Sequence, residues 1–290
     1  MRASEAGLTL SEDFLLGYSP ERIDPGNPTF GLHNVPKVGG IDDASANAAA
    51  AFFGAFVEKI VQVPGCGEAE LTKILENTFR HVNIALVNEI AMFAHDLNID
   101  VNSAIDAAAT KPFGFMPFRP GPGVGGHCLP VDPSYLSWRV KTTLGENFRF
   151  IELANDINEH MPHYVVRRVT AALNRDRKAV NGASILVLGV SYKPNVGDTR
   201  ETPARPIIEQ LTDLGAELTI IDRFAAATSD TFAGHPLHAE LDPSELAACD
   251  LALILTDHDE LDYDEVARVA PRVLDTRNRL DRDGGNVERL

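Results

Sequence analysis

SILVLGVSYKPNVGDTRETPARPIIEQLTDLGAELTIID, residues 184–222, reads as strand, loop, helix and strand. SILVLGV (184–190) is a short apolar run of buried-strand character, PARPIIEQLTDLG (203–215) has Pro near its start and Gly at its end, and ELTIID (217–222) is a second strand. LALILT (251–256), the helix around DYDEVARVA (262–270) and RVLDT (272–276) repeat the alternation. That order predicts a parallel, doubly wound α/β sheet from about residue 180, with ligands at the carboxyl ends of its strands.

Upstream the pattern changes. From residue 67 to about 110 the spacing predicts one long helix with Leu71, Leu75, Thr78, Val82, Ala85, Glu89 and Phe93 on one face, and helices follow at 132–144 and 149–175, with Pro162 expected to kink the latter. Before residue 64 there are only short strands at 14–18, 35–39 and 60–63 and an Ala-rich helix at 42–58 with Asp at its start. This is α/β material, too little for a domain by itself.

At 290 residues the chain has room for a sizeable core and two domains. No apolar run approaches the roughly 18–20 residues of a membrane span, and the first residues contain no apolar signal core, so a cytoplasmic location is expected. A formal charge of −16 disfavours nucleic acid and anionic membranes as partners, because the long-range field repels polyanions. Three cysteines without a CxxC pair (Cys66, Cys128, Cys249) argue against a disulfide framework and against a zinc site, and no metal is expected.

Four segments carry possible chemistry. GPGVGGHCLPVDP (121–133) sets Cys128 in a loop where glycines allow close approach, prolines hold the path, and free N–H groups can cradle anionic oxygen; a structural Ω-loop is the plainer reading. An accessible loop thiol among such donors is the reactive kind, whereas Cys66 and Cys249 suit packed, inert thiols. Asp132 stands four residues on. In ELTKILENTFRHVNIALVNE (70–89), Lys73 and Asn77 share a helix face, either as a solvated polar stripe or as oxyanion donors. Glu21, in YSPERIDPGNPTF (18–30), lies just past a strand and reads as a general base or as a surface ion pair with Arg22. Finally, GVSYKPNVGDTRETPA (189–204) places Lys193 and Arg200 before a helix N-terminus, which suits a phosphate, and it lacks the GxGxxG of a dinucleotide site.

Taken in this order, YSPERIDPGN, ELTKILENTFRHVNIALVNE, PFRPGPGVGGHCLPVDPSYL and GVSYKPNVGDTRETPA resemble the UDP-glucose/GDP-mannose dehydrogenase superfamily nearly end to end, and most resemble its UDP-N-acetylglucosamine 6-dehydrogenase branch. The resemblance implies an NAD-dependent, two-step oxidation of a sugar C6 alcohol to a carboxylate, in the service of surface polysaccharides. It implies that Cys128 forms a thiohemiacetal and then a thioester, that Lys73 and Asn77 hold the oxyanion and water, that Asp132 positions that water, and that Glu21 is the base in hydrolysis. Phe118, Gly123, Gly125 and Gly126 are implied to line the substrate, and Lys193 and Arg277 to meet the UDP and sugar groups. His127 is left as a loop spacer or a mild modulator of the thiol.

Three parts are expected on the same ground: residues 1–64 as the C-terminal remnant of an NAD-binding Rossmann domain, 65–180 as a helical dimerisation domain with the Cys loop, and 181–290 as a UDP-sugar-binding α/β domain. The family opens with a GxGxxG domain, and no such glycines precede residue 14 here, so this chain is expected to carry the substrate half of a site and to be inactive alone. UDP-glucose and UDP-N-acetylmannosamine are the alternative substrates. A non-catalytic UDP-sugar-binding or dimerisation subunit is the alternative of another kind.

Overall fold

A computed structural model describes residues 6–22, 31, 33, 37–280 and 285–290, and these form two compact units, Met1–Phe79 and Arg80–Leu290. In the first unit, β1 (Gly17–Tyr18) pairs antiparallel with β2 (Lys37–Gly40), and β2 pairs parallel with β3 (Val61–Gln62). Between β2 and β3 runs α1 (Asp43–Gly54), started by Asp42, whose carboxylate accepts from Ser45 N at 2.8 Å. The strand expected at 14–18 is thus shorter than its apolar run. Residues 23–30 and 34–36 of the expected motifs lie outside the described residues.

The unit boundary falls within α2 (Cys66–Asp96). The helix predicted to reach residue 110 is broken: Asn98 takes φ +56°, and Asp100 caps a separate α3 (Val101–Ala109) by accepting from Asn102 N at 3.1 Å and Ser103 N at 3.3 Å. The buried face of α2 is also not the predicted one. Thr78 and Ala85 are buried, but Leu75 is 64% and Phe93 60% exposed, while His81, Asn88 and Ala91 point inward. The buried stripe is thus turned part of the way round the helix from the one read by spacing, and shares Thr78 and Ala85 with it.

After the Gly/Pro loop, α4 (Asp132–Leu144) and α5 (Arg149–Arg175) have the predicted limits. Gly145 at φ +72° ends α4, and α5 runs as one helix through Pro162.

The sheet of the second unit is built on β4 (Ser184–Leu188), α6 (Ala204–Asp213) and β5 (Glu217–Ile221). A short α7 (Arg223–Ala226), a hairpin of β6 (Thr231–Phe232) and β7 (His235–His238), and α8 (Pro243–Ala248) come next, none of them anticipated. The expected β8 (Leu251–Ile254), α9 (Tyr263–Val269) and β9 (Val273–Asp275) follow, then an unanticipated β10 (Val287–Arg289). The strand order is β10-β9-β8-β4-β5-β7-β6, parallel except for the β6–β7 pair.

Alternate residues of β4 face opposite layers, as the two-residue period of a strand requires. Ile185 and Val187 pack with Val169 and Leu173 of α5 and Ile207 and Leu211 of α6, whereas Leu186 and Leu188 pack with Leu246 of α8 and Val266 of α9. Helices therefore cover both faces, and the doubly wound α/β fold predicted from residues 184–222 is the one observed.

Candidate active site

Two of the singled-out segments, 121–133 and 189–204, meet each other and Arg277 in the second unit, and glycine is what lets them meet. A Cβ added to Gly126, which has φ +89°, would lie 2.9 Å from the Tyr192 ring; one on Gly125 would lie 2.8 Å from Glu201 O and 2.9 Å from Tyr192 Cβ. Gly126 N donates to Arg200 O at 3.3 Å. A Cβ on Gly123, at φ +139°, would meet Pro203 Cβ at 2.9 Å, and one on Gly121 would meet the Arg277 guanidinium at 3.0 Å. The loop that carries Cys128 is thus seated on the β4–α6 connection and on Arg277, two residues past β9. The space a side chain would take at each of these four glycines is filled by protein, which is a packing reason for their lack of side chains.

Cys128 itself is exposed at the end of this loop. Its carbonyl accepts from Asp132 N at 2.9 Å, so the thiol-bearing residue sits in the turn that leads into α4, with Asp132, half-buried, as the first residue of that helix. Cys249 is the opposite case. It is buried, its Sγ donates to Leu246 O at 3.2 Å, and burial, helped by the neighbouring Asp250 carboxylate, pushes its pKa up to about 11. Cys66 is partly exposed at the start of α2.

The carboxyl ends of the strands supply the cations. Lys193 is half-buried, with Nζ 5.8 Å from the centre of the Tyr192 ring. Arg277 Nε donates to Leu255 O at 2.6 Å; burial lowers its pKa, and the nearby carboxylates of Asp257 and Asp275 oppose that shift. Asp257 is itself pushed up by burial, with Arg277 pulling it back. Arg200, expected as a phosphate cation, instead forks onto Asp198 within its own loop, at 3.0 Å from Nε and 2.7 Å from Nη2. Phe118 packs against Val87, Ala91 and Ala94 of α2 and Val101 and Ile105 of α3.

In the first unit, Lys73 and Asn77 lie one turn apart on α2, both half-buried. Glu21 is exposed, and its neighbour Arg22 pairs with Glu76 at 2.6 Å.

Two sets of residues escaped the sequence reading. Asn88 Oδ1, on the buried face of α2, accepts from Gly121 N at 2.9 Å. Asp222, at the carboxyl end of β5, is the acceptor for Val190 N at 2.8 Å, Ser191 N at 2.9 Å, Ser191 Oγ at 2.8 Å, Ala225 N at 2.8 Å and the His258 ring at 3.0 Å. His258 Nδ1 accepts from Asn195 N at 3.0 Å, so the proton of that ring is the one on Nε2, directed at Asp222. Burial raises the Asp222 pKa, but the hydrogen bonds from His258 and from the backbone N–H groups of Ala225 and Val190 outweigh it and bring the carboxyl to about 2. The signal was present in ELTIID, since an acid closing a second parallel strand has a local task in such folds.

That carboxylate also tests the fit of a dinucleotide. Its position is the one a Rossmann fold uses for the ribose hydroxyls, and both Asp222 oxygens are already engaged by protein donors. With no GxGxxG in the β4–α6 loop, the sheet of the second unit does not fit NAD. Among the described residues no His, Cys, Asp and Glu cluster could hold a metal, and no helix is long and apolar enough to cross a membrane.

Comparison with known proteins gives this geometry its relatives. Residues 67–160 match the central domain, and 186–282 the UDP binding domain, of the UDP-glucose/GDP-mannose dehydrogenase family. The chain is 34% identical over 285 residues to UDP-N-acetyl-D-mannosamine dehydrogenase of Methanocaldococcus jannaschii, covering 95% of this chain and 62% of that one. It is also 34% identical over 253 residues to UDP-N-acetyl-D-glucosamine 6-dehydrogenase of Pseudomonas aeruginosa, covering 83% and 58%. The solved structure of UDP-D-ManNAc dehydrogenase from Pyrococcus horikoshii superposes with a TM-score of 0.84 at 29% identity, covering 99% of this chain and 66% of that one. The chain thus spans about three fifths of the length of such curated relatives, 62% in the first case. With a glycine-packed Cys loop, a doubly wound C-terminal sheet and both domain matches in sequence order, the chain belongs to the UDP-glucose/GDP-mannose dehydrogenase family.

Proposed function

We propose that this chain supplies the substrate-binding and thiol half of an NAD-dependent UDP-N-acetylhexosamine 6-dehydrogenase. The observation that supports the reading is the seating of glycines 121, 123, 125 and 126 on Arg277, Pro203 and Tyr192, in a loop that continues to an exposed thiol at Cys128. Lys193 and Arg277 hold the diphosphate and sugar, and Phe118 and the glycines 123–126 form the wall next to the sugar. The hydride acceptor is supplied by a dinucleotide fold that the described residues do not provide.

The chain's own chemistry is at sulfur. Cys128 Sγ attacks the C6 aldehyde carbon, the C=O π bond opens to an alkoxide, and Lys73 and Asn77 stabilise that oxygen. The alkoxide would then re-form the C=O bond as C6 gives up a hydride to the acceptor that a bound dinucleotide would supply, leaving a thioester on Cys128. Water, positioned by Asp132 and deprotonated by Glu21, then attacks the thioester carbon, and the C–S bond breaks to return the thiolate and release the carboxylate. A rigid loop suits this work, because the gain from a fixed nucleophile depends on its placement.

Titration calorimetry tests the assignment without turnover. UDP-N-acetylglucosamine is expected to bind and GDP-mannose to bind more weakly, and Lys193→Ala and Arg277→Ala are each expected to cost about 1.5–3 kcal/mol of binding. Equal binding of the two nucleotides, or no effect of Lys193→Ala, refutes it. The M. jannaschii relative favours UDP-N-acetylmannosamine as a second substrate, and the same titration with that sugar decides between the epimers.

The same domain is proposed to dimerise through α2. Leu86, Ile90, Phe93 and Leu97 recur at spacings of four, three and four residues and are all exposed, a stripe that a second copy would cover. Sedimentation is expected to give a dimer that Ile90→Glu with Phe93→Glu converts to monomer; an unchanged dimer places the interface elsewhere.

A further inference from the structure

The loop between residues 121 and 130 is tied at both ends to one line of polar side chains. Gly121 N–H donates to Asn88 Oδ1 at 2.9 Å, and Asn88 Nδ2 donates to Asn158 Oδ1 at 3.0 Å. Asn158 Nδ2 is 3.4 Å from both His81 Nδ1 and His81 O, and His81 Nε2 is 2.7 Å from Asn155 Oδ1. Asn155 Nδ2 donates to Ser134 Oγ at 3.3 Å, and Ser134 donates to Pro130 O at 2.9 Å. Asn88 and His81 are completely enclosed, at 0% and 1% exposure, so a reversed amide among them would strand a donor against a donor.

The direction of every bond in this line follows from backbone groups that have only one role. A peptide N–H can only donate, so Asn88 turns its oxygen to Gly121 and its amide nitrogen to Asn158. Asn158 therefore turns its own nitrogen to His81, where the His81 carbonyl, which can only accept, requires the same orientation. His81 Nδ1 then carries no proton and Nε2 does, which is the tautomer Asn155 Oδ1 needs. Pro130 O, an acceptor only, ends the line by taking the Ser134 hydroxyl proton. Burial agrees with an uncharged ring, since it lowers the His81 pKa, with the Asn155 hydrogen bond and the Glu159 charge acting the other way.

We propose that Asn88, Asn158, His81, Asn155 and Ser134 act as one directional hydrogen-bond chain that locks the entry of the Cys128 loop to its exit and thereby positions the thiol. This rests on the reading of Cys128 as the reacting group. All five are positioning residues, since none of them touches the thiol in the bonds described. The chain holds Gly121 and Pro130 from beneath, as Tyr192 and Pro203 hold the glycines between them.

The test uses the 290-residue chain carrying Cys66→Ser, with a trifluoromethyl label on Cys128 and amide exchange followed at Gly121. The label is expected to give one narrow fluorine resonance. Ser134→Ala removes a group that reaches only the exit, yet it is expected to speed Gly121 exchange by about fivefold and to shift or split the fluorine signal. Asn88→Ala should do the same from the entry. Thr142→Ala, on the solvent side of the same helix, should change neither. Ser134 is only half-buried, so its variant keeps the test open if Asn88→Ala fails to fold. Gly121 exchange unchanged in folded Ser134→Ala overturns the proposal, because a merely structural bond would loosen only Pro130. If alkylation of the unaltered chain instead selects Cys66 or Cys249, the reading of Cys128 fails while coupling between residues 134 and 121 is still measurable.

Discussion

Cys249 is expected to resist alkylation at neutral pH by at least about a hundredfold relative to Cys128. Two factors multiply. With its pKa pushed up to about 11, only on the order of one Cys249 in ten thousand is thiolate at pH 7, against a few per cent for an ordinary exposed cysteine. Its sulfur is also buried, and reagent reaches it only through local opening. Cys66, half-buried at the start of α2, should fall between the two. Mass-spectrometric mapping with limiting iodoacetamide reads all three together, and UDP-N-acetylglucosamine should protect Cys128 alone. Labelling of Cys66 ahead of Cys128, or no protection by the nucleotide sugar, removes the basis for the thiol assignment.

Replacing Asp222 by alanine should cost about 3–5 kcal/mol of stability, since five buried donors lose their acceptor at once. Against a typical total of about 5–15 kcal/mol this is enough to leave part of the population unfolded at room temperature. Urea unfolding measures it, and a loss below about 1 kcal/mol would mean that the donors find other partners. Acid should reproduce the effect in part. The folded carboxyl titrates near 2, below its ordinary value of 3.8, so its contribution is present above pH 3.8 and is lost as pH falls toward 2. The shift corresponds to about 2 kcal/mol. The variant should therefore show a flatter acid limb than the parent.

Reading by periodicity succeeded where one signal had no rival. The limits of α4 follow from Asp132 with Pro133 at its start and Gly145 at its end, and the parallel sheet follows from apolar runs too short to be anything but strands. It failed on α2 because apolar residues serve two faces there. The core takes small or polar side chains (Ala85, Asn88, Ala91), while Leu75 and Phe93 face outward, and the sequence alone does not say which face is inside. The hairpin β6–β7 and strand β10 are two to four residues long and leave almost no periodic trace. Within the candidate site, the Cys loop and its glycines were legible as a motif. What the glycines lie against, Tyr192 and Pro203, was not, and neither was the role of Asn88, whose partner is thirty-three residues away.

The borders of the seven-stranded sheet bear on how the protein behaves when concentrated. One border, β6, is two residues long, and the strand behind it carries Pro236 opposite Thr231. The other, β10, has Glu288 and Arg289 engaged by Arg272 at 3.0 Å and by Asp100 at 2.9 Å. A very short rim on one side and ion-paired side chains on the other give an incoming strand little to copy. Borders of this kind disfavour the open-ended, sheet-to-sheet joining of crowded copies that builds filaments.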